Sequence, residues 1–256
     1  MNVPLHRPAA RIEPERQARI ELAACHRLAA RFGLNEGIDN HLTLMVPGTS
    51  DRFLLAPFGL HWSEVRASDF MVIDFAGDIV SGPGPVEPTA RYIHLPVHRL
   101  SARARCVLHT HMPHATALGM LEDTRLEMAV QSALMFHGEV AYVPYQGLAL
   151  GPEEGERLAR ALGDKSVLLM ANHGALVVGE SVPKAFERLY FLERAAQAQL
   201  LAMATGRALK RIPDAVIAHT VAQFGTDAAV GGVDRADLHF AALKRLLDRE
   251  GADYAN

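Results

Sequence analysis

Cysteine is scarce in this chain. Two thiols, Cys25 and Cys106, stand in 256 residues, and neither has a partner at a metal-type spacing. That excludes a disulfide framework and a cysteine-bound zinc module, and leaves two reduced thiols of a cytoplasmic protein as the expectation. Basic excess is lacking too. Twenty-six Lys and Arg against 29 Asp and Glu give a net charge of −3, so nothing in the charge calls for nucleic acid. No run of about 18 uninterrupted apolar residues is present, which argues against a membrane span. The opening stretch MNVPLHRPAARIEPERQARIE has no apolar core of the secretory kind. Repeats, low-complexity tracts and a clear linker are missing as well. What is there is 49% apolar and 21% charged residues, the balance of a soluble globular chain long enough to bury a sizeable core.

EPERQARIELAACHRLAARFG predicts an amphipathic helix that opens near Pro14 and ends at Gly33. GIDNHLTLMVPG predicts a glycine turn and a short strand. DRFLLAPFG and DFMVIDFAGDIVSG are further apolar runs bounded by Gly, Pro or Asp, as strands and turns are. PTARYIHLPVHRLSA reads as a helix in which Pro96 is awkward. RCVLHTH predicts a buried strand, with Cys106 as strand packing, and PHATALGMLED a helix. EVAYVPY is a strand, and GPEEGERLARALG a helix with acidic residues in its first turn. SVLLMANHGALVVG reads as two strands around a turn at Asn172-His173-Gly174. SVPKAFERLYFLERAAQAQLLAMATG is the longest helix, and RADLHFAALKRLLDREG the last. Residues 207–233 read as irregular. Helices at both ends around short strands predict one α+β or three-layer α/β/α domain.

Histidines are concentrated in one place. RCVLHTHMPHATALG carries His109, His111 and His114 directly after an apolar run. On a strand, residues i and i+2 share a side, so His109 and His111 can aim at one ion while Thr110 points away. A second strand ends at His173, followed by glycine. Three neutral imidazoles with an open position are the donor set of a catalytic zinc site, where an ion polarises a carbonyl and stabilises an enolate.

VLHTHMPHATALG followed by LLMANHGALVVG resembles the class II aldolase/adducin family. So do GIDNHLTLMVPG, APFGLHWSEV and ARYIHLPVHRLSARARCVLHTH, in the family's order. The similarity runs from about residue 15 to about 205. The resemblance implies one α/β/α domain over residues 1–256 with a central, mostly antiparallel sheet, the core at about 15–205 and a C-terminal helical extension at 206–256. It also implies a metal, usually zinc, on His109, His111 and His173, with manganese, cobalt and iron as the choices of relatives. A homotetramer with active sites at subunit contacts is implied too. Members include sugar-phosphate aldolases, an epimerase and decarboxylases; adducin keeps the fold without catalysis.

Two departures bear on the substrate. In the aldolases an acidic residue stands four positions before a helix histidine. Here that histidine is His94 and the position is Ala90; the nearest carboxylate is Glu87, before Pro88. Sugar-phosphate members also cradle the phosphate with small polar residues. Here Gly37 and Asn40 persist, but the next pair is Phe58-Gly59, and GPVEPTA lacks a Ser-Ser pair. A phosphate needs convergent donors, so the expectation is a non-phosphorylated hydroxy or keto acid, with Phe58 and Trp62 either lining a pocket for an aromatic or flat acid or serving ordinary packing. Glu87 is the first acid/base candidate; Tyr142 and Tyr145, in a region from which relatives reach a neighbouring subunit's site, are others. His61 is a candidate to face the substrate, and His114 to lie behind the ligands, to shuttle protons or to sit at the surface. His94 and His98, with Arg91 and Arg99, would meet a substrate carboxylate or serve structure. The expected function is a metal-dependent lyase, by retro-aldol cleavage or decarboxylation. The alternatives are an adducin-like scaffold and a non-haem iron oxygenase.

Overall fold

Apolar residues of the central runs alternate between two faces, so pairing the runs side by side buries both. The computed structural model describes residues 13–226 and 229–256. Most of the opening stretch without a secretory core lies outside the described residues. Eight strands form the sheet: β1 (His41–Met45), β2 (Arg52–Leu55), β3 (Met71–Asp74), β4 (Ile79–Ser81), β5 (Cys106–Thr110), β6 (Val140–Val143), β7 (Val167–Met170) and β8 (Gly174–Gly179). Their order across the sheet is β4-β3-β2-β1-β5-β8-β7-β6. Every neighbouring pair is antiparallel except β6 with β7.

Helices α1 (Pro14–Arg31), α3 (Pro113–Leu118), α5 (Val182–Met203) and α7 (Arg235–Arg249) cover one face, and α2 (Pro88–Leu100) and α4 (Pro152–Leu162) the other. Cys106 and Leu108 of β5 join the first core, beside Leu22, Val177 and Phe186. Val107 joins the second, beside Ile93, Leu158 and Leu176. The mostly antiparallel three-layer sandwich is the expected architecture.

Pro96 sits inside α2 and is buried. Proline has no N–H, so the Tyr92 carbonyl one turn earlier loses its helical donor. Gly155 of α4 lies directly against that carbonyl: a Cβ there would stand 1.8 Å from the Tyr92 oxygen. The proline is accommodated by a glycine on the neighbouring helix.

The reading of residues 207–233 as irregular is corrected. Helix α6 spans Asp214–Thr226, and a ribbon pairs β9 (Ala229–Val230) with β10 (Val233–Asp234). Val216, Ile217, Thr220 and Val221 are β-branched and carry a weak helix propensity. Packing of Ile217, Val221 and Phe224 onto the core supplies what the local sequence does not.

Register aligns the strand ends. His41 faces His109, Thr43 faces Leu55, Thr110 faces Ala175 and Met170 faces Gly174. The segments 34–40, 56–66, 82–87, 111–112, 144–151 and 171–173 therefore emerge at one edge of the sheet.

Candidate metal centre

β5 is buried along its whole length, and its pleat sets the first two histidines. His109 and His111 point to one side. His173 arrives from the three-residue turn between β7 and β8, where Asn172 adopts φ +55°, the left-handed conformation such hairpins require and asparagine tolerates. The ring centroids form a near-equilateral triangle: His109–His111 5.0 Å, His109–His173 4.8 Å and His111–His173 5.0 Å. One nitrogen of each lies within 4.8 Å of the others. Gly174 makes this approach possible, since a Cβ there would meet the Thr110 carbonyl at 2.6 Å and His111 Cδ2 at 2.8 Å.

The free nitrogens test whether this trio suits an ion. His109 Nδ1–H donates to the Ala175 carbonyl at 3.0 Å, leaving Nε2 as a lone pair. His111 Nδ1 is held by Glu36 Oε2 at 2.5 Å, and its Nε2 is buried with no hydrogen-bond partner among the described residues. Burial, with repulsion from neighbouring histidines, pushes His109 well below the ordinary histidine range and His173 down to about 4. Neutral imidazoles with unpartnered nitrogens are what a divalent ion takes. The residues fit a metal.

The loop before β1 carries the outer contacts. Asn40, at φ +80°, accepts two backbone N–H groups on Oδ1, from Glu36 at 3.0 Å and from His111 at 3.2 Å. On the far side of the trio, the Tyr145 ring lies 6.1 Å from His173. Glu154, on the first turn of α4, binds Arg157 at 2.7 Å and acts electrostatically on His173. Arg157 also donates to the Pro144 carbonyl, tying α4 to the loop of Tyr145.

Beneath the trio runs a buried polar chain. Burial keeps His41 (down to about 3), His94 and His98 (down to about 4) uncharged. His98 Nδ1–H must donate to the Ala104 carbonyl, 2.6 Å away. Its Nε2 then accepts from the Thr43 hydroxyl, which accepts from His94 Nδ1–H. His94 Nε2 accepts from His41 Nδ1–H at 2.7 Å. One carbonyl thus fixes three tautomers. His41 Nε2 faces the Thr89 hydroxyl at 3.2 Å and Glu87 Oε2 at 3.6 Å, and the His41 ring lies 4.9 Å from that of His109.

Glu87 caps α2. Its Oε2 accepts from Ala90 N–H at 2.6 Å and from Thr89 Oγ1 at 2.5 Å, and it stands outside the converging trio. Gly37, Phe58, Gly59 and His61 lie on loops at the same sheet edge. Phe58 is exposed and its N–H binds the Pro85 carbonyl; His61 bonds to Ser63 and Glu64. Tyr142 turns to Leu126, whose N–H its hydroxyl accepts at 3.1 Å. Of the two readings of Trp62, packing is the one observed: it is buried against His26. His94 and His98 are structural, because their ring nitrogens are spent in the buried chain. His114 binds Glu193, which also caps α3 through the His114 and Ala115 N–H groups. Sequence reading missed Glu36, His41 and Glu154. The His41–His109 pairing across β1 and β5 is the signal that would have found His41.

The class II aldolase and adducin N-terminal domain model matches residues 20–200. A candidate class 2 aldolase of Pseudomonas aeruginosa is 34% identical over 247 residues, 94% of this chain and 92% of that protein. Rat alpha-adducin is 32% identical over 253 residues, 93% of this chain but 34% of that protein. An aldolase II superfamily protein of Pseudomonas syringae superposes with a TM-score of 0.87 at 36% identity, covering 96% of this chain and 98% of that one. L-fuculose 1-phosphate aldolase of Glaciozyma antarctica gives 0.79 at 25%, covering 95% and 96%. With the family model spanning most of the chain and full-length relatives at 34% and 36% identity, the chain belongs to the class II aldolase/adducin family.

Proposed function

We propose that this chain is a divalent-metal-dependent carbon–carbon lyase for a small hydroxy or keto acid without a phosphate. The observation that carries the reading is the convergence of His109, His111 and His173 with their free nitrogens turned together. Zinc is the ion of this reading, with Mn2+, Co2+ and Fe2+ as the other choices; when bound, it supplies polarisation of a substrate oxygen and stabilisation of an enolate charge. Retro-aldol cleavage and decarboxylation both use that chemistry.

The chain's own groups supply the rest. Glu87 is the first acid/base group of this reading, supported by its contact with the Thr89 hydroxyl, which lies 3.2 Å from His41 Nε2. Tyr145 on the rim, and Tyr142, are the others. Gly37, Asn40, Gly59 and His61 line the approach, and Phe58 offers an apolar wall where a phosphate would need donors. Tyr145, Leu148 and Leu150 are exposed on one rim segment, which supports a subunit contact there and the homotetramer of this reading. A cytoplasmic location belongs to the same proposal. Among the described residues no helix is long and apolar enough to cross a membrane.

The match to alpha-adducin favours a second reading, a binding module with a retained histidine trio. One set of proteins separates the two. Chain purified without chelator or His-tag should carry about one zinc or manganese ion per chain by elemental analysis. His109→Ala/His111→Ala should carry none. His173→Ala should lose metal and cleavage of keto and hydroxy acids together. A wild type that takes up no ion from zinc, manganese, cobalt or anaerobic ferrous solutions would overturn the lyase reading and leave the binding module.

A further inference from the structure

Among the described residues the Glu36 side chain has one partner, and that partner is a member of the histidine trio. Its carboxylate is 66% exposed, yet Oε2 stands 2.5 Å from His111 Nδ1. The backbone around it is shaped to hold it there. Asp39 N–H bonds to the Glu36 carbonyl, and Asn35 Nδ2 donates to the Gly37 carbonyl. Gly37 at φ +57° and Asn40 at φ +80° turn the chain back on itself. Asn40 Oδ1 then takes the N–H of Glu36 and the N–H of His111 together. One amide oxygen thus registers the carboxylate's backbone against the histidine's.

We infer that Glu36 is the positioning residue of the centre: it fixes His111 as the Nδ1–H tautomer and keeps Nε2 aimed at the ion, with Asn40 setting the distance. A carboxylate behind a ligating imidazole orients the ring and raises its basicity. Without it, the proton is free to move to Nε2, the nitrogen now buried without a partner, and the ring is free to turn. The inference rests on the metal reading above. It adds a carboxylate from the loop before β1, 75 positions away from the histidine it holds.

The test uses full-length apo-protein titrated with Co2+, read by visible absorption and by competition with a chelator. Glu36→Ala should weaken Co2+ binding about 10–100-fold and alter the absorption bands. Glu36→Gln keeps an oxygen that accepts from Nδ1–H, and should restore the wild-type bands and most of the affinity. Thermal melts of the metal-free proteins should coincide, because the side chain packs against no core. Glu36→Ala binding within about twofold of wild type would overturn the inference while leaving the metal reading intact. A wild type that binds no Co2+ would overturn both, and the His109→Ala/His111→Ala protein supplies the baseline for that outcome.

Discussion

Thr43 joins His94 to His98 through one hydroxyl, accepting from the first and donating to the second at 2.8 Å. All three residues are buried. Thr43→Val keeps the shape and removes the oxygen, which strands a donor on His94 and an acceptor on His98. A loss of about 2–4 kcal/mol is expected, since each stranded buried group costs about 1–3 kcal/mol. Thr43→Ser keeps the hydroxyl and should lose about 1 kcal/mol for the missing methyl. Urea unfolding of the two variants decides the point; equal midpoints would refute the chain's structural role.

Gly155 is in the interior of α4, where alanine would ordinarily gain about 1 kcal/mol. Here the sign should reverse. The new Cβ would collide with the Tyr92 carbonyl oxygen, which is backbone and cannot swing aside. Gly155→Ala is expected to cost about 2–3 kcal/mol, visible as a lower melting temperature. A variant as stable as the parent would show that α2 and α4 can slide apart cheaply.

Acid should unfold the metal-free protein earlier than ordinary carboxylate titration would. His26 and His98 are buried and lowered to about 4 from 6.5, chiefly by that burial. Between those values the unfolded chain binds protons that the folded chain refuses, so stability falls as pH falls. Each group costs about 1.4 kcal/mol per pH unit across that window and nothing further above or below it. Melting temperature should be level above pH 7 and drop steadily from pH 6.5 toward 4. A level curve down to pH 5 would contradict the burial of these two rings.

Much of this was legible in the chain, for identifiable reasons. The β5 strand, the turn at His173 and the long α5 follow from apolar runs with clear punctuation, and the first two of these carry the trio. Pro96 inside α2 could not be read locally, because its accommodation lies on Gly155, 59 positions away. His94 and His98 shared a helix face as read, but which nitrogens they spend depends on Thr43 across the layer. Trp62 was aromatic beside a candidate loop, and only packing on His26 shows that it turns inward. Glu36 carried no spacing signal at all, since its partner lies 75 residues away.

The parallel pairing of β6 and β7 has a consequence for how new specificity can arise. In an uninterrupted meander, successive strands finish at alternating edges, so half of the connections serve the far side. Here α4 carries the chain back, and β6 and β7 finish together. Two consecutive connections, 144–151 with Tyr145 and 171–173 with His173, therefore open at the same rim. One of them holds His173 and tolerates little change. The other is longer and spliced onto a rigid crossover, and away from Tyr145 it exposes Leu148 and Leu150, so these two can be exchanged without disturbing the three histidines and the rim can be reshaped around them.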